Sequence, residues 1–197
     1  MRPFTLLLAA VIFLTLVKAP IAQVNPSSNS SAAVSSVERK LQRIESNGSL
    51  ARPDQTPTEF TEQEINAYFA SGAIKLPAGV QSVNFQGQPE IVIATARVDF
   101  DEIKGGRHSS NPLLSMFSGI HDVVVSAHVH GAAGQGYVNV DSVSLDGVDI
   151  PRFALQMFVE KYLQPKYPSV GLDSQFALPA RMDTATVGLH KLTITQK

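Results

Sequence analysis

The stretch Pro151-Arg-Phe-Ala-Leu-Gln-Met-Phe-Val-Glu-Lys-Tyr-Leu163 decides how the rest of the chain is read. Its composition predicts a helix. Pro151 suits a first turn, where a missing N–H costs nothing, and Asp149 is an available cap just upstream. Arg152, Gln156 and Glu160 recur at i, i+4 and i+8 as one narrow polar stripe, with Lys161 beside it. Phe153, Ala154, Leu155, Met157, Phe158, Val159, Tyr162 and Leu163 cover the remainder. A surface helix is apolar over roughly a third of its circumference, so this one is expected to be covered on most sides. The flanking sequence is strand-like, which makes a strongly curved sheet the expected cover. The functional question is whether protein alone fills the space between them or a lipid shares it.

The strands predicted around this helix are long. Residues 90–101 alternate cleanly: Val92, Ala94, Ala96, Val98 and Phe100 share one face, and Thr95, Arg97 and Asp99 the other. Extended, that run would span about 40 Å. Ala94 and Ala96 put small side chains mid-strand, suited either to close helix packing or to the approach of an acyl chain. A second strand is expected over 120–130, with Val123, Val125, Ala127 and Val129 inward and Val124 out of phase with them. A third, over 137–145, changes phase between Val138/Val140 and Val143/Leu145; one extra residue near Asp141 and Ser142 would restore it, which predicts a β-bulge.

A shorter strand through Val80, Val83 and Phe85 turns at 86–89, and 182–187 with 189–195 form a closing hairpin around Gly188. Residues 164–176 read as a Pro-rich return loop. Leu76-Pro-Ala precedes the earlier hairpin and Leu178-Pro-Ala the later one, each after a helix, which suggests similar edges on one sheet.

Residues 102–118 interrupt the strands. Lys104, Arg107 and His108 precede Leu113, Leu114, Met116 and Phe117, and Asn111-Pro112 could start a short helix. Such a loop either folds back over the core or forms a lip whose four apolar side chains contact a membrane.

The N-terminal third is organised differently. Met1-Arg2 and an apolar run over 4–17 have the length of a secretory h-region, short of the roughly 20 residues of a spanning helix. Residues 1–22 therefore read as a signal peptide or uncleaved signal anchor, placing the remainder in the periplasm or outside the cell. Residues 23–57 read as a flexible tether with one short helix. That helix would begin at a Ser35–Glu38 capping box, carry Val37, Leu41 and Ile44, and end at Asn47-Gly48. It either docks on the domain or extends as an arm. A further helix begins at Thr61–Glu64, a second capping box, with Phe60 and Ile65 in the staple positions.

Composition and spacing exclude several functions. The chain has 197 residues, 16 basic and 17 acidic, without the basic surplus expected of a nucleic-acid binder. It has no cysteine, hence neither disulfides nor thiolate chemistry. His128 and His130 share a strand face, but Asp122 would lie about 20 Å from His128 along it, so no third metal ligand is supplied. No nucleophile elbow, paired carboxylates or phosphate loop is present, and no catalytic residue, metal or cofactor is assigned.

The order of parts resembles a known family. Phe-Thr-Glu-Gln-Glu-Ile-Asn from Phe60 to Asn66, Gly-Val-Asp-Ile-Pro from Gly147 into the apolar helix, and a Leu-Pro strand pair ending in Leu-Thr-Ile-Thr at Thr195 carry the likeness. Together, over 58–197, they resemble the LmeA-like envelope lipid-binding family and, more distantly, tubular lipid-binding (TULIP-type) domains. The resemblance implies an apolar groove, phospholipid binding and no catalytic residues. The fold expected is α+β: a long, strongly curved antiparallel sheet wrapped around a central apolar helix, with additional N-terminal helices. Val92, Ala94, Ala96, Val98, Phe100, Phe153, Met157, Phe158 and Tyr162 would line the groove, and a phospholipid or similar amphiphile at a membrane surface would be the partner. A second reading stays open, a structural or adaptor module with a dry core that binds a protein.

Overall fold

The computed structural model describes residues 28–106 and 110–197. The leader reading of 1–22, the start of the tether, and Arg107 and His108 lie outside the described residues.

The architecture is α+β, a nine-stranded antiparallel sheet with a few helices. Its spine is the hairpin of β4 (Ile120–Ala132) and β5 (Gln135–Leu145). Strand β3 (Ile91–Asp99) pairs with β4 from Ile120 to His128, and β2 (Val80–Gln88) pairs with β3. Strand β8 (Met182–Gly188) pairs with β4 further along, at His130 and Gly131, and carries β9 (Lys191–Gln196) and then β1 (Thr58–Thr61). The two hairpins that follow Leu-Pro-Ala therefore lie end to end on one edge of β4, as their sequence echo suggested. Backbone bonds join them, from Glu90 N–H to Val187 O at 3.0 Å and from His190 N–H to Gly87 O at 2.9 Å. The opposite edge of β5 takes β6 (Val148–Asp149) and β7 (Asp173–Ala177).

Alternation along the strands sets which side chains face inward. Ala127 pairs with Val140 and Ser126 with Ser142, so Asp141 is the extra residue of the predicted bulge. The bulge restores phase, and Val138, Val140, Val143 and Leu145 are all buried.

Several boundaries differ from expectation. Strand β3 ends at Asp99, whose side chain accepts from the N–H groups of Asp101 and Glu102 and so caps helix α3 (Phe100–Lys104). Phe100 is thus the first residue of a helix, not the last of a strand, and the strand is shorter than 90–101. Glu90 sits at the turn with φ of 63°. Helix α1 (Ser28–Gly48) begins before Ser35, so residues 28–33 are helical and the Ser35–Glu38 capping box is not an N-terminus. Docking holds the helix downstream of those serines: Val37 and Ile44 are buried, and Gln196 Nε2 donates to Ile44 O at 2.8 Å. Gly48 is required there, since a Cβ would fall on the Ala180 carbonyl. Strand β7 occupies part of the expected return loop because pairing with β5 orders it.

Helix α2 (Glu62–Ala70) has the predicted capping box, Thr61 Oγ1 accepting from Glu64 N–H and Glu64 Oε2 from Thr61 N–H. Helix α4 (Arg152–Phe158) runs into a π-helical turn, Val159–Leu163, marked by the Gln164 N–H to Val159 O bond at 2.9 Å. Pro151, not Asp149, is its cap residue, because Asp149 pairs with Ser144 in β6. Ala154, Leu155, Phe158, Val159 and Tyr162 are buried, but Phe153 is 58% exposed. The covered arc of this helix is narrower than its wheel suggests.

Candidate functional site

Two separate hydrophobic clusters occupy the inner face of the sheet. One joins α1 and α2 to Phe85, Val92, Ala127, Val129 and Val138. The other joins α3 and α4 to Val98, Val123, Val140, Val143 and Leu145, with Phe100, Phe117, Phe158 and Tyr162 as its aromatic centre. In the second cluster Phe117 stacks on Phe158 with centroids 4.4 Å apart, and Phe100 meets Phe158 edge-on at 5.4 Å.

The seam between the clusters crosses the middle of β3. Ala94 packs against the first cluster and Ala96 against the second. Both are half-buried, as are Val83 and Val125, while Val92 and Val98 on either side are buried. Register makes this one patch: Val83 lies opposite Ala96, and Ala94 opposite Val125. Small side chains at the seam leave an apolar strip that neither set of helices covers completely.

The expected groove residues therefore divide. Val92 is inside the first cluster; Val98, Phe100, Phe158 and Tyr162 are inside the second. Met157 is half-buried against the second cluster, Ala94 and Ala96 lie at the seam, and Phe153 faces outward. The loop residues divide as well. Asn111 caps a 3₁₀ turn, Pro112–Leu114, through the Leu113 N–H. Leu114 and Phe117 are 3% and 1% exposed, so these two are core side chains and not lip residues. They turn inward because the second cluster offers them an aromatic floor. Leu113 and Met116 remain exposed.

A small cavity of about 30 Å³ lies in the first cluster between α2 and the hairpin junction, lined by Ile65, Phe85, Val92, Val187 and Leu192 with Glu62 and Lys191 at its edge. That is room for a water or two and not for an acyl chain. Glu62 Oε2 accepts from Gly87 N–H at 2.9 Å and meets His190 Nδ1 at 2.8 Å, tying α2 to both hairpins. Burial works to raise its carboxyl, and these two contacts outweigh burial and lower it.

Electrostatic pairs sit around the clusters. Burial would also raise Glu64, but Lys40 at 2.6 Å, Ser36 and the Thr61 N–H hold its carboxyl at about 2. His121 bridges Asp146 Oδ2 at 2.6 Å and Ser118 O at 2.7 Å, and these contacts raise its imidazole above the ordinary value. The same His121 contact and the Asp122 N–H lower Asp146. His128 and His130 have different partners: His128 pairs with Asp141 at 2.8 Å, and the His130 ring stacks on Tyr137 with centroids 4.8 Å apart. No cluster of three or more candidate metal-ligating side chains occurs among the described residues. Among them, too, no helix is long and apolar enough to cross a membrane.

Sequence reasoning did not single out Asn66, His121, Asp146 or His190. Each is an ordinary polar residue whose importance comes from a partner 19 to 128 positions away.

No protein-family model matches the chain, and neither a curated protein nor a solved structure matches it.

Proposed function

We propose that this chain is a non-enzymatic, exported binder of a phospholipid or similar amphiphile, working at a membrane surface. The observation that carries this reading is the seam: half-buried Val83, Ala94, Ala96 and Val125 form an apolar floor between two independently packed clusters. An acyl chain laid there would be covered by parting the clusters, each of which keeps its own core. In this reading the sheet wraps around the ligand and α4 together, and the half-buried Met157 flanks the chain. Exposed Leu113 and Met116 would contact the bilayer, with Leu114 and Phe117 anchoring their turn from within. The LmeA-like resemblance points the same way.

The test is mass spectrometry of organic extracts from the purified protein, with flotation on liposomes. The expected result is co-purified amphiphile that Ala96→Phe displaces, and liposome association that Leu113→Asp or Met116→Asp weakens. A clean extract together with no liposome association overturns the reading. The packed interior and the water-sized cavity favour a second reading, a dry adaptor module. It predicts the clean extract and a defined protein partner.

A further inference from the structure

The segment 110–119 roofs the second cluster. Its backbone is held by three short-range bonds, Leu114 N–H to Asn111 O, Ser115 N–H to Pro112 O and Phe117 N–H to Leu114 O, at 3.0, 3.2 and 3.3 Å. At its far end Gly119 is tied to α3, its O accepting from Phe100 N–H at 2.9 Å and its N–H donating to Asp101, while Ser118 is held by one side chain. His121, near the start of β4, places Nε2 2.7 Å from Ser118 O and Nδ1 2.6 Å from Asp146 Oδ2, its ring 5.9 Å from that of Phe100. Asp146 in turn accepts from Asp122 N–H at 2.9 Å, which fixes the β5–β6 turn against β4.

Both oxygens facing the imidazole can only accept hydrogen bonds. A neutral imidazole has one N–H and one lone pair, so it satisfies one of them and sets a lone pair against the other. Only the imidazolium donates to both. The charged groups around it are Asp146 from the β5–β6 turn, Asp101 from α3, Asp122 on its own strand and Arg97 on β3. Asp101 is paired with Lys104 at 2.9 Å and also accepts from Gly119 N–H at 3.0 Å. Arg97 is paired with Asp122 at 3.0 Å. The bridge therefore joins two elements on a condition, the presence of one proton.

We propose that His121 is a proton-operated latch: protonated, it ties Ser118 to Asp146 and tightens the 110–119 segment over the aromatic cluster, and deprotonated, it keeps one of those two bonds and loosens that segment. Loosening lets Leu114 and Phe117 open away from Phe100 and Phe158 more often, each opening uncovering an aromatic surface. The latch is closed at acidic pH and opens as pH rises. It goes beyond the amphiphile reading and is tested without any lipid.

The experiment uses the full chain, with the His121 ring followed by NMR and the amides of Leu114, Ser115 and Phe117 by hydrogen exchange, corrected for the intrinsic pH dependence of exchange. Protection of those amides is expected to fall about tenfold as pH rises through the His121 titration, the scale of one lost charge-assisted hydrogen bond. His121→Gln is expected to show low protection at every pH. Asp146→Asn, a milder change, is expected to move both the titration and the protection step to lower pH. Protection that stays constant across the His121 titration, or a step that Asp146→Asn leaves in place, overturns the latch.

Discussion

The side chain of Asn66, inside helix α2, pairs with the backbone of Phe85 as a neighbouring strand would. Its Nδ2 donates to Phe85 O at 2.8 Å, and Phe85 N–H donates to its Oδ1 at 2.8 Å. One turn earlier Glu62 accepts from Gly87 N–H, so α2 satisfies the outer edge of β2 with side chains. An exposed strand edge invites pairing with other chains, and this arrangement occupies part of it.

Asn66→Ala leaves both backbone groups of Phe85 without these partners. The expected loss is about 2 kcal/mol in urea denaturation, with Asn66→Asp intermediate because it keeps the acceptor and loses the donor. Wild-type stability in Asn66→Ala would show that water replaces the amide at no cost.

Lys40 and Glu64 attach α1 to α2, with Glu64 only 14% exposed. A carboxyl depressed to about 2 contributes stability that is complete above its ordinary value of 4.5 and is lost as pH falls from there toward 2. Glu64→Gln is expected to cost about 2 kcal/mol at pH 7. Denaturation curves from pH 7 to pH 3 should show the wild type converging on the variant.

Phe117 and Phe153 are both large aromatic residues at the same end of the sheet, but one is 1% and the other 58% exposed. Phe117→Ala is expected to cost about 3–5 kcal/mol, since it removes a stacked ring from the second cluster. Phe153→Ala should stay within about 0.5 kcal/mol. Equal thermal shifts for the two variants would contradict this packing.

Gly48 is where α1 meets the Ala180 carbonyl. Gly48→Ala would normally favour a helix by about 1 kcal/mol. Here it should destabilise the protein and raise protease sensitivity near residues 46–52, because the added methyl cannot fit without moving α1. Unchanged proteolysis would show that the junction yields freely.

Much of the sheet was legible because its information is local. The phase change around Asp141 needed only period-two counting, and the Thr61–Glu64 capping box only a spacing of three. The candidate site was less legible. Ala94 and Ala96 stood out as small residues mid-strand, but nothing in their spacing says that two cores meet between them. Leu113, Leu114, Met116 and Phe117 form one apolar group in sequence and two groups in space, because the three-residue period begun by the turn at Pro112–Leu114 sends Leu114 and Phe117 to the core and Leu113 and Met116 to solvent.

By itself the sequence determined which side chains share a face: the inward rows of β3, β4 and β5, the polar stripe of Arg152, Gln156 and Glu160, and the helix starts at Thr61 and Asn111. Tertiary structure alone decided how those faces are covered. It extended α1 back to Ser28 and tied it to α2 through Lys40 and Glu64, ordered β7 against β5, left Phe153 outside and brought His121 between Ser118 and Asp146. The physical reason is that periodicity fixes the direction of a side chain relative to its own backbone, whereas burial and hydrogen-bond partners depend on chain segments far away in sequence.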